Sequence, residues 1–322
     1  MIKKENGHSS PAGGLTISPS LELMNQSAQV PFEAAALDRR SVKICLAAVL
    51  LGVVAAFVAK VLVQLIDFIT NLAYFHRVSF EAASPADNTL GFWAIGVPIV
   101  GGLFVGFMAR YGSKAIRGHG IPEAMECVLT KQSRIPARVT FLKPLSAAIS
   151  IGTGGPFGAE GPIIATGGAL GSLFGQLTRT TPSERKTLLA AGAAAGMAGT
   201  FGSPVSAVLL AVELLLFEFR ARSIIPVALA SAAAAGVRLL LFGHDPVFAM
   251  SDLSPVPLSA LSFYAVMGLA LGLVATGINR IVYAVEDKFD QLPIHWMWWP
   301  AWGAVAVGVI GYFCPNTLGV GY

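Results

Sequence analysis

Gly152-Thr-Gly-Gly-Pro-Phe-Gly-Ala-Glu-Gly-Pro162 decides how the rest of the chain is read. Five of its eleven residues are Gly and two are Pro, so neither a helix nor a strand can run through it undisturbed. It looks like a phosphate cradle but lacks the Gly-Lys-Ser/Thr ending of a P-loop. It also joins two uncharged apolar runs, 144–159 and 161–178, in which Glu160 is the one charge between Lys143 and Arg179. A carboxylate in hydrocarbon is costly and is usually retained for function. The stretch therefore predicts a Gly-rich break at membrane depth, followed by a helix starting near Glu160. Free backbone N–H groups and the positive end of the helix dipole would face an anion there. Capping its own helix is the plainer role open to Glu160.

The composition agrees with a membrane setting. The 322 residues are 54% hydrophobic and 12% charged, about half the charge of an ordinary soluble domain. So few charges cannot cover a soluble surface, which excludes disorder, a disulfide scaffold and a soluble enzyme. The net charge of +4 is scattered, with no stripe that would follow nucleic acid. Cys45, Cys127 and Cys314 are far apart in or beside apolar segments, and read as buried small hydrophobes. The five histidines show no metal-ligand spacing, so no metal or cofactor is expected.

Residues 1–40 are polar and aperiodic, and are expected to be a disordered cytoplasmic tail. The apolar stretch 41–75 would be roughly 52 Å long as a helix, beyond the roughly 30 Å of a bilayer core, and must tilt or protrude. Further apolar runs at 88–109, 187–212, 223–242, 253–279 and 291–322 are uneven, and Arg238 interrupts one of them. Short, Gly/Pro-broken segments at membrane depth mark the site of a transporter or channel. Gly102/Gly106, Gly167/Gly171/Gly175, Gly192/Gly196 and Gly268/Gly272 repeat at four-residue spacing, which predicts close helix packing for each stripe. Trp296, Trp298, Trp299 and Trp302 suit an interfacial aromatic belt. The positive-inside rule puts the N-terminus in the cytoplasm. The linker bearing Arg110, Lys114, Arg117, Lys131, Arg134, Arg138 and Lys143 falls on the same side.

Arg117-Gly-His-Gly-Ile-Pro-Glu123 repeats the construction of the opening stretch. A Gly-x-Gly turn leads into Pro122, suited to a first helical turn, with Glu123 close behind. The short helix expected at 122–131 cannot cross, so its start can point inward. His119 can offer a ring N–H to an anion, or merely cap and pack.

Gly118-His-Gly-Ile-Pro122, Gly158-Ala-Glu-Gly-Pro162 and the run from Leu188 through Gly196 to Phe201-Gly-Ser-Pro204 and Glu213 together resemble the CLC family of chloride channels and proton/chloride exchangers. The likeness runs from about residue 41 to the last residue and is of the bacterial type. It implies an all-α polytopic membrane protein with inverted repeats and tilted, broken helices. It also implies a homodimer with one pore per subunit in the bilayer, placed in a bacterial inner or plasma membrane. Chloride or another small anion would be the transported ligand. Glu160 matches the family's gating glutamate, which competes with chloride for the same N–H groups until it is protonated or displaced. Gly118, His119, Gly120, Ile121 and Pro122 match the first anion-binding motif, and Gly158, Ala159, Gly161 and Pro162 flank the gate in the second. Glu213 is a possible internal acid.

This sequence departs from the family pattern in four places. His119 stands where Ser is usual, which bears on anion preference. Ala159 replaces a basic residue, and Leu214 replaces the internal proton-transfer glutamate of many exchangers. The second-repeat Gly-x-Phe-x-Pro segment and late Tyr have no counterpart. The chain is accordingly expected to hold a first repeat at about 41–245 and the opening of a second at about 255–322. Anion transport, as channel or proton-coupled exchanger, is the leading function. The alternative is a truncated, non-transporting fragment or a modifier of a full-length partner. A membrane hydrolase using Ser172 or Ser203 lacks a suitably spaced His partner.

Overall fold

The computed structural model describes residues 39–118, 120–243, 257–258 and 260–319. Two compact units are distinguished, Met1–Lys43 and Ile44–Tyr322. The first is described only at 39–43, the opening of a helix. The proposed repeat boundary, 245–255, and His119 lie outside the described residues, as does the tail up to residue 38. Among the described residues the regular structure is helical, with no strand.

Helix α1 (Arg39–Phe75) is the long apolar segment, 37 residues and so roughly 55 Å. It buries one stripe, Ala48, Leu51, Ala55, Ala59, Leu62 and Ile66, at helical spacing. Helix α2 (Gly96–Phe107) is extended by a 3-10 turn before it and a π turn after it into an apolar span, Gly91–Gly112. Next come the short α3 (Ile121–Thr130), α4 (Ala137–Gly152), α5 (Glu160–Leu177) and α6 (Pro182–Phe201). The run expected at 187–212 breaks at Gly202, which is left-handed at φ 67° and stops α6. Helix α7 (Pro204–Ala211) restarts it and ends in a π turn, Val212–Leu216. Then follow α8 (Ala221–Phe242), α9 (Ala260–Asp290) and α10 (Trp299–Phe313).

Helix α6 is the centre of the core. Pro182 opens it, and Thr181 and Glu184 bond to each other's backbone N–H at its start. Its Ala- and Leu-rich body then lies between α5 and α8, with Leu188, Leu189, Ala190, Ala194 and Ala198 almost completely covered. The glycine stripes explain the close approach: a methyl group at Gly167 would land on the Gly192 carbonyl oxygen, and one at Gly192 on that of Gly167. Arg238 does not interrupt α8. It is buried, and its Nε donates to the Thr200 carbonyl at 3.3 Å. A second group packs α10 against α2, with Gly102 beneath the Pro300 carbonyl and Gly106 beneath that of Met297.

Three expectations need correction. A methyl group at Gly268 or Gly272 would meet no atom within 4 Å beyond the helix's own backbone, and no residue of α9 is buried. Their stripe has nothing to pack against among the described residues. Cys127 is buried, but Cys45 is only half-buried and Cys314 is exposed just after α10. Arg138 and Lys143 belong to α4 and not to a linker, because α4 begins at Ala137, well before the uncharged run.

Among the described residues four segments are long and apolar enough to cross a membrane: α1, Gly91–Gly112, α8 and α9.

Candidate anion site

The site forms where α4 stops. The N–H groups of Gly154 and Gly155 turn back onto the carbonyls of Ile151 and Ser150 at 2.8 and 2.9 Å, using up α4's last acceptors. The carbonyls of the break are taken as well, Thr153 by the Tyr74 hydroxyl at 3.0 Å and Gly154 by the Gly319 N–H at 3.2 Å. The last turn of α4 and the first residues of the break thus leave the helix with these carbonyls paired. Helix α5 then begins at Glu160. The N-cap residue, Ala159, brings no side-chain cap and Pro162 contributes no N–H, so Glu160 and Gly161 hold the N–H groups that have no acceptor within the helix. Ala159 and Gly161 are buried, while Gly158 and the Glu160 side chain are exposed.

The start of α3 comes to the same place. Gly118 and Gly120 have φ of +81° and +113°, values that penalise any side chain. At Gly120 a Cβ would also meet the Gly161 carbonyl at 2.6 Å and the Ala165 methyl at 3.0 Å. The two motifs, 40 residues apart in sequence, thus touch through their glycines. Ile121 and Pro122 form the first turn of α3, as expected. Glu123 reaches back to accept the Gly120 N–H at 2.6 Å. This is one half of a capping box, since Gly120 has no side chain to complete it.

Lys143 escaped the sequence reasoning. It counted there only as a positive charge for orientation, yet its side chain is 4% exposed inside α4. Its ammonium donates to the carbonyls of Ile116 and Gly118 at 3.0 and 2.7 Å. The signal was available: a single Lys one residue before Pro144 and a long uncharged run, with no acid nearby in sequence. What sequence could not show is that its partners are backbone carbonyls 25 or more residues away.

A cavity of about 430 Å³ opens between these elements, lined by Gly118, Lys143, Gly158, Pro162, Trp296 and Trp299 among others. Two of the Trp cluster therefore face the site, beside their role in ring packing. Trp298 stands edge-on to Phe107 at 6.1 Å, and Trp299 to Phe289 at 6.2 Å. Glu213 is not part of this lining. It is exposed at the π turn after α7, while Leu214 packs against the core. Ser172 is buried in a structural role, its hydroxyl bridging the Ile135 N–H and the Ser133 carbonyl.

A family model described as voltage gated chloride channel matches residues 101–322, a stretch that contains both turns and the cavity. The chain belongs to this CLC family. It is 26% identical over 240 residues to a putative chloride channel protein ClcB-like from Ralstonia nicotianae, covering 73% of this chain and 56% of that one. It is 26% identical over 294 residues to the H(+)/Cl(-) exchange transporter ClcA of Citrobacter koseri, covering 88% and 61%. The CLC chain thus spans under two thirds of the length of these relatives. In fold it is similar to a slow cyanobacterial Cl-/H+ antiporter, with TM-score 0.70 and 22% identity over 84% of this chain and 64% of that one. It is equally similar to a CLC-type fluoride/proton antiporter, with TM-score 0.69 and 18% identity over 86% and 66%. The all-α CLC fold expected from the motifs is therefore observed.

Proposed function

We propose that this chain forms a CLC-type pathway for chloride or a similar small anion, gated by Glu160. One observation carries the proposal: the start of α5, with Glu160 as its first residue, abuts the glycine turn at the start of α3. The start of α5 offers N–H groups there, and both helix starts bring positive dipole ends to the same small region. A carboxylate on the first residue of α5 can occupy that region as an anion does, and protonation removes it as a competitor. Gly118, Gly120, Ile121, Pro122, Gly158, Ala159, Gly161 and Pro162 supply backbone to this place, and His119 sits between two of them in sequence. We further propose a homodimer in a bacterial inner or plasma membrane with a cytoplasmic N-terminus. The support is the family resemblance and the basic residues of the 110–138 region.

The proposal is tested by reconstituting the chain in liposomes and following chloride efflux from pH 4 to 8. Glu160→Gln is expected to flatten the pH dependence of flux. A variant that transports with the original pH profile would sink the gating role. Leu214, packed on the core, carries no proton, so the reversal potential under a proton gradient is expected to follow chloride alone. A potential that shifts with pH would mean proton coupling through some other group.

A further inference from the structure

Two cations line the cavity, Lys143 and Arg117, and they are held in different ways. The ammonium of Lys143 is occupied by two carbonyls. The guanidinium of Arg117 lies over the Trp296 ring, 4.5 Å from its centroid. The indole face attracts the positive charge without taking any of the guanidinium's N–H donors. No carboxylate pairs with Arg117 among the described residues. Arg117 is exposed and yet part of the cavity wall, which places it at the rim. It directly precedes Gly118, the first residue of the anion turn.

Trp296 is itself fixed. It belongs to a 3-10 turn, Trp296–Trp298, whose preceding residue His295 accepts the Met297 N–H through Nδ1 at 3.2 Å. The Met297 carbonyl lies against Gly106 of α2. Arg110, in the π turn after α2, contacts the His295 ring at 3.3 Å. The ring that carries Arg117 is thus tied at two points to the helix that leads into Arg117.

We propose that Arg117 is an anion-recruiting residue at the rim of the cavity, and that Trp296 is its positioning residue. A small inorganic anion, such as a halide or nitrate, would dock on the free guanidinium edge before passing to Gly118. The proposal rests on the transport reading above for its function, but not for the binding event itself. Held flat on an indole, the guanidinium keeps its place without a salt bridge, so the arriving anion meets a cation it need not first free from a carboxylate.

The test combines binding and flux on the full chain in lipid. Iodide quenches indole fluorescence on contact, and Trp296 lies beside the proposed dock. Saturable iodide quenching is expected in the wild type, weakened about fivefold in R117A, the scale of one close charge contact in water. R117K, which keeps the charge but not the planar stack, is expected to fall between them. In chloride efflux, R117A is expected to raise the half-saturating concentration by about the same factor while the maximal rate changes less. W296A is expected to follow R117A, and W296F to restore flux, because a phenyl face still carries the cation. The wild-type-to-R117A difference is expected to shrink at high ionic strength. Folded R117A with wild-type quenching and half-saturation overturns the recruiting role. Equal losses in W296A and W296F overturn the positioning role, since packing alone would then explain them. If the wild type moves no anion, the transport reading fails, and the iodide titration alone decides Arg117.

Discussion

The two helix starts that meet at the site are finished in opposite ways. At α3 the Gly120 N–H is taken by the helix's own Glu123, and the carbonyls of the preceding turn are taken by Lys143. At α5 the N-cap residue, Ala159, brings no side-chain cap, Pro162 brings no N–H, and the first acid, Glu160, is exposed. The first start is rigid and balanced, with a buried cation on its carbonyls and an anion on its N–H. On the proposed function the second takes whichever anion arrives, a chloride or the carboxylate of Glu160. A pathway needs both: a fixed wall that keeps its shape when empty, and a facing end whose occupant can change.

Removing the buried cation attacks the rigid side hardest. Lys143→Met leaves the Ile116 and Gly118 carbonyls without their donor. One buried acceptor, at Ile116, and one part-buried, at Gly118, are left unpaired, which is expected to destabilise the fold by about 2 kcal/mol. The glycine turn is expected to lose its shape, and anion flux to fall by about tenfold or more. Thermal unfolding in detergent gives the first number and liposome efflux the second. A variant with full flux and unchanged melting would show that the turn holds itself.

Glu123→Gln makes a gentler break. The amide oxygen can still accept the Gly120 N–H, but the bond loses its charge and about half its strength. The expected cost is about 1 kcal/mol of stability. The fixed negative charge that opposes an incoming anion is lost as well, so the half-saturating chloride concentration is expected to fall about threefold. Efflux measured across chloride concentrations reads this directly. Unchanged or weaker affinity would mean that Glu123 serves only as a cap.

These variants also mark where the sequence was legible. The break at 153–159 and the start of α5 at Glu160 could be read from Gly, Pro and one isolated acid, because local backbone chemistry dictates them. The end of α6 at Gly202 is legible for the same reason. The pairing of Gly120 with Gly161, and of Lys143 with two carbonyls, depends on how distant segments pack, and a periodic pattern carries no such information. The Gly268/Gly272 stripe shows the converse. It has the spacing of a packed interface and no neighbour among the described residues, since spacing states what a helix can accept and not what meets it. The Trp cluster was legible as a group of aromatic residues, but not as the seat of Arg117.

A carboxylate away from the cavity provides the smallest effect and the control. Glu218 lies between α7 and α8, where it accepts the Ser223 hydroxyl at 2.7 Å and pairs with Lys186 at 3.3 Å and Arg220 at 3.9 Å. Burial alone would raise its carboxyl, but Ser223, Lys186 and Arg220 together outweigh burial and hold it below the ordinary value of 4.5. The folded chain therefore binds this proton less tightly than the unfolded chain. Its stabilisation is complete above the ordinary value and fades as pH falls through the lowered one. Between pH 5 and 3 the melting temperature of the wild type is expected to drop about 2 °C more than that of Glu218→Gln. The half-saturating chloride concentration of that variant is expected to match the wild type, because Glu218 joins α6 to the segment before α8 and touches neither helix start. A shift in anion affinity as large as that of Glu123→Gln would show that any acid near the site acts at long range, and the contrast between the two helix starts would then be a matter of total charge and not of which N–H groups are taken.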